Sequence, residues 1–258
     1  MNRVASTRAL GPTPKPSTTR VTFVQLELAG KIGLPAGRYL VREGDADRVL
    51  IVQLLDAPPP RRRGRRRARP VEPGEPEQVP VTRVTVTGVA LAGSAEGSEW
   101  LREATTNRER GTEELRAATR IVNRALSALR AEARDPLIQE IGATQALAIR
   151  FGHGSGDEIA EGRWTEAREL APPRRGRLDD VEPQSRVAAV LAGRDEVHPA
   201  ETLMLRARLD AHHGRDAEAR HGLRAARAAL EEEPGPRRDE LLKELTAIEE
   251  KLGDAASQ

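Results

Sequence analysis

The densest set of chemically capable residues is Gly152-His153-Gly154-Ser155-Gly156-Asp157-Glu158. Glycines ahead of a helix leave bare backbone amides that cradle an anion, so Gly152, Gly154 and Gly156 are candidate anion ligands. His153 with Asp157 and Glu158 is the matching candidate acid–base set. The specific motifs are not completed. Asp stands at 157 where the dinucleotide fingerprint needs Gly, no Gly-Lys-Ser/Thr follows, and a nucleophile elbow at Ser155 would need glycine at 153 and 157. The commoner origin of such a run is a turn between helices, with an enzyme or phosphometabolite-binding loop as the sharper alternative. His212 and His213 are adjacent, whereas two ligands of one metal on a helix sit three or four residues apart, so they read as a helix end. The chain has no cysteine, which removes disulfides and thiolate metal sites. No catalytic residue, metal or cofactor is assigned.

A second candidate is electrostatic. Arg61, Arg62, Arg63, Arg65, Arg66, Arg67 and Arg69 lie together without an acid, inside a proline-rich stretch. The chain holds 42 basic and 40 acidic residues; without those seven, 35 face 40, so a net −5 body carries a basic segment that brings the whole to +2. Such a segment suits a polyanion: nucleic acid, an acidic protein or an anionic lipid surface. With so few aromatic residues for base stacking, nucleic-acid contact would be phosphate-directed and nonspecific. The bland alternative is a solvated linker whose arginines follow from a GC-rich coding sequence, since lysine is scarce throughout.

A third candidate is a shape for binding. Gly162-Arg163-Trp164-Thr165-Glu166-Ala167 is echoed by Gly214-Arg215-Asp216-Ala217-Glu218-Ala219. Over about residues 200–233 the second copy resembles one tetratricopeptide repeat, with Ala207, Gly214, Ala219, Leu223 and Ala226 at its small or apolar positions. Leu203, Arg206 and Asp210 depart from the family's tryptophan, leucine and tyrosine, and the closing proline is displaced to Pro234. The resemblance implies a helix–turn–helix hairpin that binds a protein partner, with Leu203, Ala207, Asp210 and Arg215 as candidate contacts. An ordinary antiparallel hairpin is the plainer reading.

The elements that must position these residues change character along the chain. Residues 1–20 read as a basic, disordered tail. Strands are expected near 21–29, where Val24, Leu26 and Leu28 alternate with polar residues, at 38–43, at 49–55 and at 82–88. The apolar run Val49–Leu55 suggests a central strand. Residues 57–79 form a long Arg/Pro-rich insertion. From Glu96 onward the period is helical: Leu115, Ala118, Val122, Leu126 and Leu129 share a face, and Asp135-Pro136 opens an expected helix bearing Leu137, Ile141 and Ala148. Further helices are expected at 157–161, from Trp164, and near 184–193, 199–213, 216–232 and 238–252, with a linker near 172–183. Trp100 and Trp164 read as core or interface anchors rather than ligand platforms.

The fold expected is therefore α+β: an antiparallel sheet of about four strands over 21–106, then an all-helical domain over 107–258. The function expected is non-enzymatic protein–protein interaction or scaffolding. Nonspecific phosphate contact through the arginine run is the alternative. No apolar run is long enough for a membrane span and no signal core opens the chain, which reads as soluble and cytoplasmic, with its oligomeric state open.

Overall fold

The computed structural model describes residues 19–43, 46–55, 79–173, 183–232, 235 and 237–255. The chain divides into two compact units, Met1–Pro173 and Arg174–Gln258. The expected basic tail, the 57–79 insertion and the 172–183 linker fall almost wholly outside the described residues.

In the first unit, strands β1 (Arg20–Ala29), β2 (Gly37–Glu43), β3 (Ala46–Leu55) and β4 (Val81–Leu91) precede helices α1 (Ser94–Thr106) and α2 (Arg108–Ala133). Strands β5 (Ala146–Ser155) and β6 (Glu166–Leu170) follow. All pair antiparallel in one six-stranded sheet ordered β2-β3-β4-β1-β5-β6. The first four strands lie close to where the sequence placed them. Their sheet gains two more, so the region after residue 106 is not all helical, and β3 stands second from an edge rather than at the centre.

Register aligns the apolar positions into rows. Leu50, Val86, Val24 and Phe151 lie side by side across four strands, and Val52, Val84, Leu26 and Ile149 form the next row. All eight are buried and form one cluster with Leu101 and Ala104 of α1 and Ile121, Val122 and Leu126 of α2. On the opposite face Phe23 meets Trp164, ring centroids 5.9 Å apart, and Ile159 and Ala160 are buried on the 3₁₀ segment Asp157–Glu161. β3 is covered on both faces because Leu50 and Val52 point into the helical layer while Ile51 is buried on the other side. Burial on two faces marks a strand inside a sheet, and the next-to-edge position satisfies it.

The helix expected after Asp135-Pro136 is absent. α2 begins with Asn107 accepting from the Glu109 and Arg110 amides, and ends at Arg134, whose φ of 51° is left-handed. The next residues form a strap held by side chains of α2. Asn123 Nδ2 donates to Ile141 O at 2.9 Å, Ile141 N donates back to Asn123 Oδ1 at 2.8 Å, and Arg130 Nε donates to Ile138 O at 2.6 Å. Asp135 Oδ1 accepts from Leu137 N, the mark of a turn rather than a helix start. Leu137, counted as the first stripe residue, is 80% exposed.

The second unit is helical: α3 (Pro183–Leu191), α4 (Pro199–His212), α5 (Asp216–Glu232) and α6 (Arg238–Ala255). His198 caps α4, its Nδ1 accepting from Ala200 N, while Glu201 reaches back to the His198 amide and Pro199 occupies the first helical position. α4 and α5 form an antiparallel hairpin with Met204, Ala207, Ala219, Leu223, Ala226 and Leu230 in its core. A Cβ at Gly222 would stand 3.2 Å from Ala207 Cβ, which shows how closely the two backbones approach. α6 closes one side of the hairpin with Leu241, Leu245, Ile248 and Leu252. Among the described residues no helix is long and apolar enough to cross a membrane.

Candidate functional site

The structure takes the glycine run apart. Gly152 and Gly154 lie within β5 rather than in a loop before a helix, and only Gly156, with φ of 63°, turns the chain. A Cβ at Gly152 would lie 2.6 Å from both Phe23 Cζ and Glu166 O, and one at Gly154 2.7 Å from Ile159 Cγ2. These glycines admit neighbouring protein groups, so the anion cradle proposed for them is withdrawn. The helix expected from Trp164 is instead a turn followed by β6.

His153 meets partners that its sequence neighbours did not suggest. It is fully buried in β5, against α1 at Gly97, where a Cβ would lie 2.5 Å from the imidazole Cγ. Its Nε2 stands 3.5 Å from Ser98 Oγ and 3.8 Å from Glu166 Oε2, and the Ser98 hydroxyl donates to Glu166 Oε2 at 2.8 Å. Serine, histidine and glutamate are the residue types of a hydrolytic triad, but the wiring differs. A nucleophile needs its hydroxyl to donate to one imidazole nitrogen while the carboxylate holds the other. Here serine and glutamate converge on one nitrogen, the serine proton goes to the carboxylate, and Nδ1 is enclosed without a partner. The arrangement ties α1 to β5 and β6. The hydrogen bond from Ser98, helped by Arg168 and His153, holds the Glu166 carboxyl below its ordinary value.

A larger charged cluster crosses the face of the sheet away from the helices. Arg83 and Arg150 each place a guanidinium nitrogen 2.7 Å from Glu27 Oε1, and Arg150 also reaches Glu169 at 2.7 Å. Burial pushes the Glu27 carboxyl up, and the hydrogen bonds from Arg150 and Arg83 more than reverse it, so it stays below its ordinary value. Gln25 Nε2 donates to Thr85 Oγ1 beside it at 2.9 Å. The carboxylates and guanidinium groups answer one another and present no uncompensated charge. At one end of the sheet, a cleft of about 440 Å³ opens between the 28–33 turn and the strap. Glu140 on its wall is tied to Arg130 at 3.5 Å. Among the described residues no three His, Cys, Asp or Glu side chains gather as a metal site.

In the helical unit the four proposed partner contacts turn inward. Ala207 is fully buried in the hairpin, and Leu203 packs against the same core. Asp210, buried at the end of α4, accepts from Arg215 Nη2 at 2.6 Å and pairs with Arg206 at 3.2 Å, so Asp210 and Arg215 lock the turn. The position that looked like a departure from a repeat tyrosine is a charged clasp. Arg61 to Arg69 lie outside the described residues, although Leu55 pairs with Val81, so the segment containing them leaves and rejoins the sheet at one point.

What the sequence did not single out is the outer side of α3 and α4. Among the described residues, the exposed large apolar side chains of this unit are Val187, Leu191, Val197, Leu205 and Leu209; none lies on α5 or α6. Leu191 is 83% and Leu205 62% exposed. Arg186 pins α3 beside the first turn of α4, with Nη1 and Nη2 each 2.7 Å from a Glu201 carboxylate oxygen and Nε 3.1 Å from Asp195. The hydrogen bonds from Arg186 hold Glu201 below its ordinary value, while Asp195 is lowered first by the Glu196 amide and then by Arg186. The signal was present in the run Val187-Ala188-Ala189-Val190-Leu191-Ala192, too apolar for an open surface.

No protein-family model, curated protein or solved structure matches the chain. The reading of function therefore rests on the architecture itself: a six-stranded α+β unit and a helical-hairpin unit.

Proposed function

We propose that the protein is an interaction or scaffold protein, with the helical unit as its binding module and the outer side of α3 and α4 as the contact face. The single observation that carries this is the segregation of exposed apolar residues. Val187, Leu191, Val197, Leu205 and Leu209 all lie on one stretch of the unit, while α5 and α6 turn polar residues outward. Isolated exposed leucines are ordinary, but a group concentrated in one stretch of a unit whose other helices are polar outside favours a docking role. The resemblance of the α4–α5 hairpin to a tetratricopeptide unit points the same way, since hairpins of that kind bury one face against a neighbour. The contacts are moved outward from Ala207, Asp210 and Arg215 to Leu205 and Leu209. The experiment compares proteins retained by the full chain and by the Leu205→Asp/Leu209→Asp double variant. Loss of specific partners with the variant supports the reading; retention of every partner contradicts it.

A second reading uses the arginine run at 61–69. It is favoured by the charge segregation and by the single rooting point at Leu55 and Val81. Contact with phosphates would weaken steeply as salt is raised, and changing the seven arginines to serine would remove that slope. An affinity for duplex or single-stranded nucleic acid that is independent of salt and of those arginines contradicts it.

A further inference from the structure

We infer that the exposed side of α2 is a contact surface for the phosphate backbone of a duplex nucleic acid, carried by Arg116, Arg120 and Arg124. This goes beyond the second reading above, which uses only the run at 61–69, because it places the contact on an ordered helix.

The charges of α2 are unevenly placed. Its acids ahead of residue 115 stand at Glu109, Glu113 and Glu114, where Arg110 meets Glu113 at 3.7 Å and Glu114 at 2.8 Å. From Leu115 to Ala131 there is no acid, and Arg116, Arg120, Arg124 and Arg130 fall in that span. Arg130 turns toward the strap and meets Glu140 at 3.5 Å. The other three are exposed and stand four residues apart, so they share one stripe of the helix. The side chains of Arg116 and Arg120 have no partner among the described residues. The adjoining helix carries the opposite sign, with Glu96, Glu99 and Glu103 on α1 against Arg102 alone.

The ordinary causes of such a stripe do not account for it. The helix macrodipole favours cations only in the last turn, and Arg116 and Arg120 lie in the middle of α2. Like charges four residues apart repel each other, so the helix gains nothing from the arrangement by itself. A coding preference for arginine sets the residue type but not its surroundings: Arg186, Arg206, Arg208 and Arg227 each meet a carboxylate. An external anion is the remaining partner.

The form of the stripe selects the anion. Arginines four apart rise about 6 Å along the axis, so the row runs for about 12 Å. A duplex carries one charge per roughly 1.7 Å of its axis, so a row of this length faces several phosphates. A guanidinium group matches two phosphate oxygens with parallel hydrogen bonds. No aromatic residue occurs in α2, so bases are not stacked and the contact is with the backbone. Among the described residues α2 also shows no exposed large apolar side chain, which an interfacial helix needs to enter lipid. The root of the arginine run adjoins the same helix. Gly30 N donates to Pro80 O at 2.7 Å, and a Cβ at Gly33 in that turn would stand 3.6 Å from Leu129 Cδ2.

The test measures binding of the full chain to a labelled DNA duplex of mixed sequence by fluorescence anisotropy, with phosphatidylserine vesicles in parallel. Loss of two phosphate contacts in Arg116→Gln/Arg120→Gln should lower the salt slope by about two. Between about 50 and about 200 mM salt the wild-type chain should therefore lose about tenfold more affinity than this variant. Arg220→Gln/Arg224→Gln removes the same charge from exposed positions of α5, and should leave the slope unchanged. Far-ultraviolet circular dichroism should be the same in all, since the substituted side chains are exposed. An α2 variant that binds like the wild type, an α5 variant that loses as much, or a chain that binds the vesicles but not the duplex overturns the inference. The variant with all seven arginines of the run changed to serine separates the two readings. If it alone loses the duplex, the run stands and the α2 surface falls. If the α2 variant alone flattens the slope, the α2 surface stands and the run falls.

Discussion

In the sheet unit, apolar side chains of four strands meet α1 and α2 on one face, while Trp164, Ile159 and Ala160 close over the other beside Phe23. In the helical unit, α6 closes one side of the α4–α5 hairpin, while Leu205 and Leu209 of α4 and Leu191 of α3 stay in solvent. The exposed apolar residues of the sheet unit, such as Leu40, Val89 and Leu137, lie on separate elements. The contrast separates two uses of apolar sequence. In one unit it is spent internally on a core, and in the other part of it is left for association. Both tryptophans belong to the sheet unit, so their fluorescence follows that unit alone, whereas circular dichroism is weighted to the helices.

The largest effect that sharpens the contrast is expected in the sheet. Phe151→Ala empties a buried position between the β rows and α1, and should cost about 3–5 kcal/mol. Tryptophan fluorescence should report a lowered denaturation midpoint. Asn123→Ala removes both bonds that hold Ile141, leaving a buried N–H and C=O unpaired, and should cost about 2–3 kcal/mol in the same assay. In the helical unit, Asp210→Ala strands Arg215 beside a buried turn and should cost about 2 kcal/mol, read by circular dichroism with the tryptophan transition unchanged.

Acid should weaken both units, through different residues. The Glu27 and Glu201 carboxyls are held below the ordinary 4.5 by hydrogen bonds and ion pairs with arginine. A depressed carboxyl stabilises the fold above its unfolded value, and that contribution fades as pH falls from near 4.5 through the folded value. Melting temperatures recorded against pH should therefore decline in this acid range. Arg150→Met should flatten the decline seen by fluorescence, and Arg186→Met the decline seen by circular dichroism. The smallest expected change in monomer stability is that of Leu205→Asp, within about 0.5 kcal/mol, because the side chain it replaces touches solvent rather than core.

Strands β1 and β4 were legible because one face is apolar and the other more polar, as in the period of two of Val24, Leu26 and Leu28, and β3 because Val49–Leu55 is an apolar run covered on both faces. β5 was not, because Gly152, Gly154 and Gly156 read as chain breakers, and only the structure shows Phe23 and Ile159 occupying the space a side chain would need. β6 has the charged sequence Glu-Ala-Arg-Glu-Leu and carries no apolar alternation at all. The two Gly-Arg-x-x-Glu-Ala copies teach the same lesson. Gly162 and Gly214 both take positive φ, 88° and 71°, so the local turn is shared, yet a strand follows the first and a helix the second. Tertiary pairing with β5 decides the first copy, and the hairpin core decides the second. The Ser98–His153–Glu166 cluster was illegible because its members lie on three elements. The α3/α4 face was partly legible: the helices were expected at nearly their observed positions, but which side of α4 stays outside depends on where α5 and α6 pack.

Hydrogen exchange of the full chain, compared at one concentration with the Leu205→Asp/Leu209→Asp variant, tests the central claim most directly. With the proteins the chain retains present, the account predicts slower exchange in the wild-type chain along α4, with α6 exchanging alike in both. Equal exchange of α4 in the two proteins would contradict it and return those leucines to ordinary exposed surface.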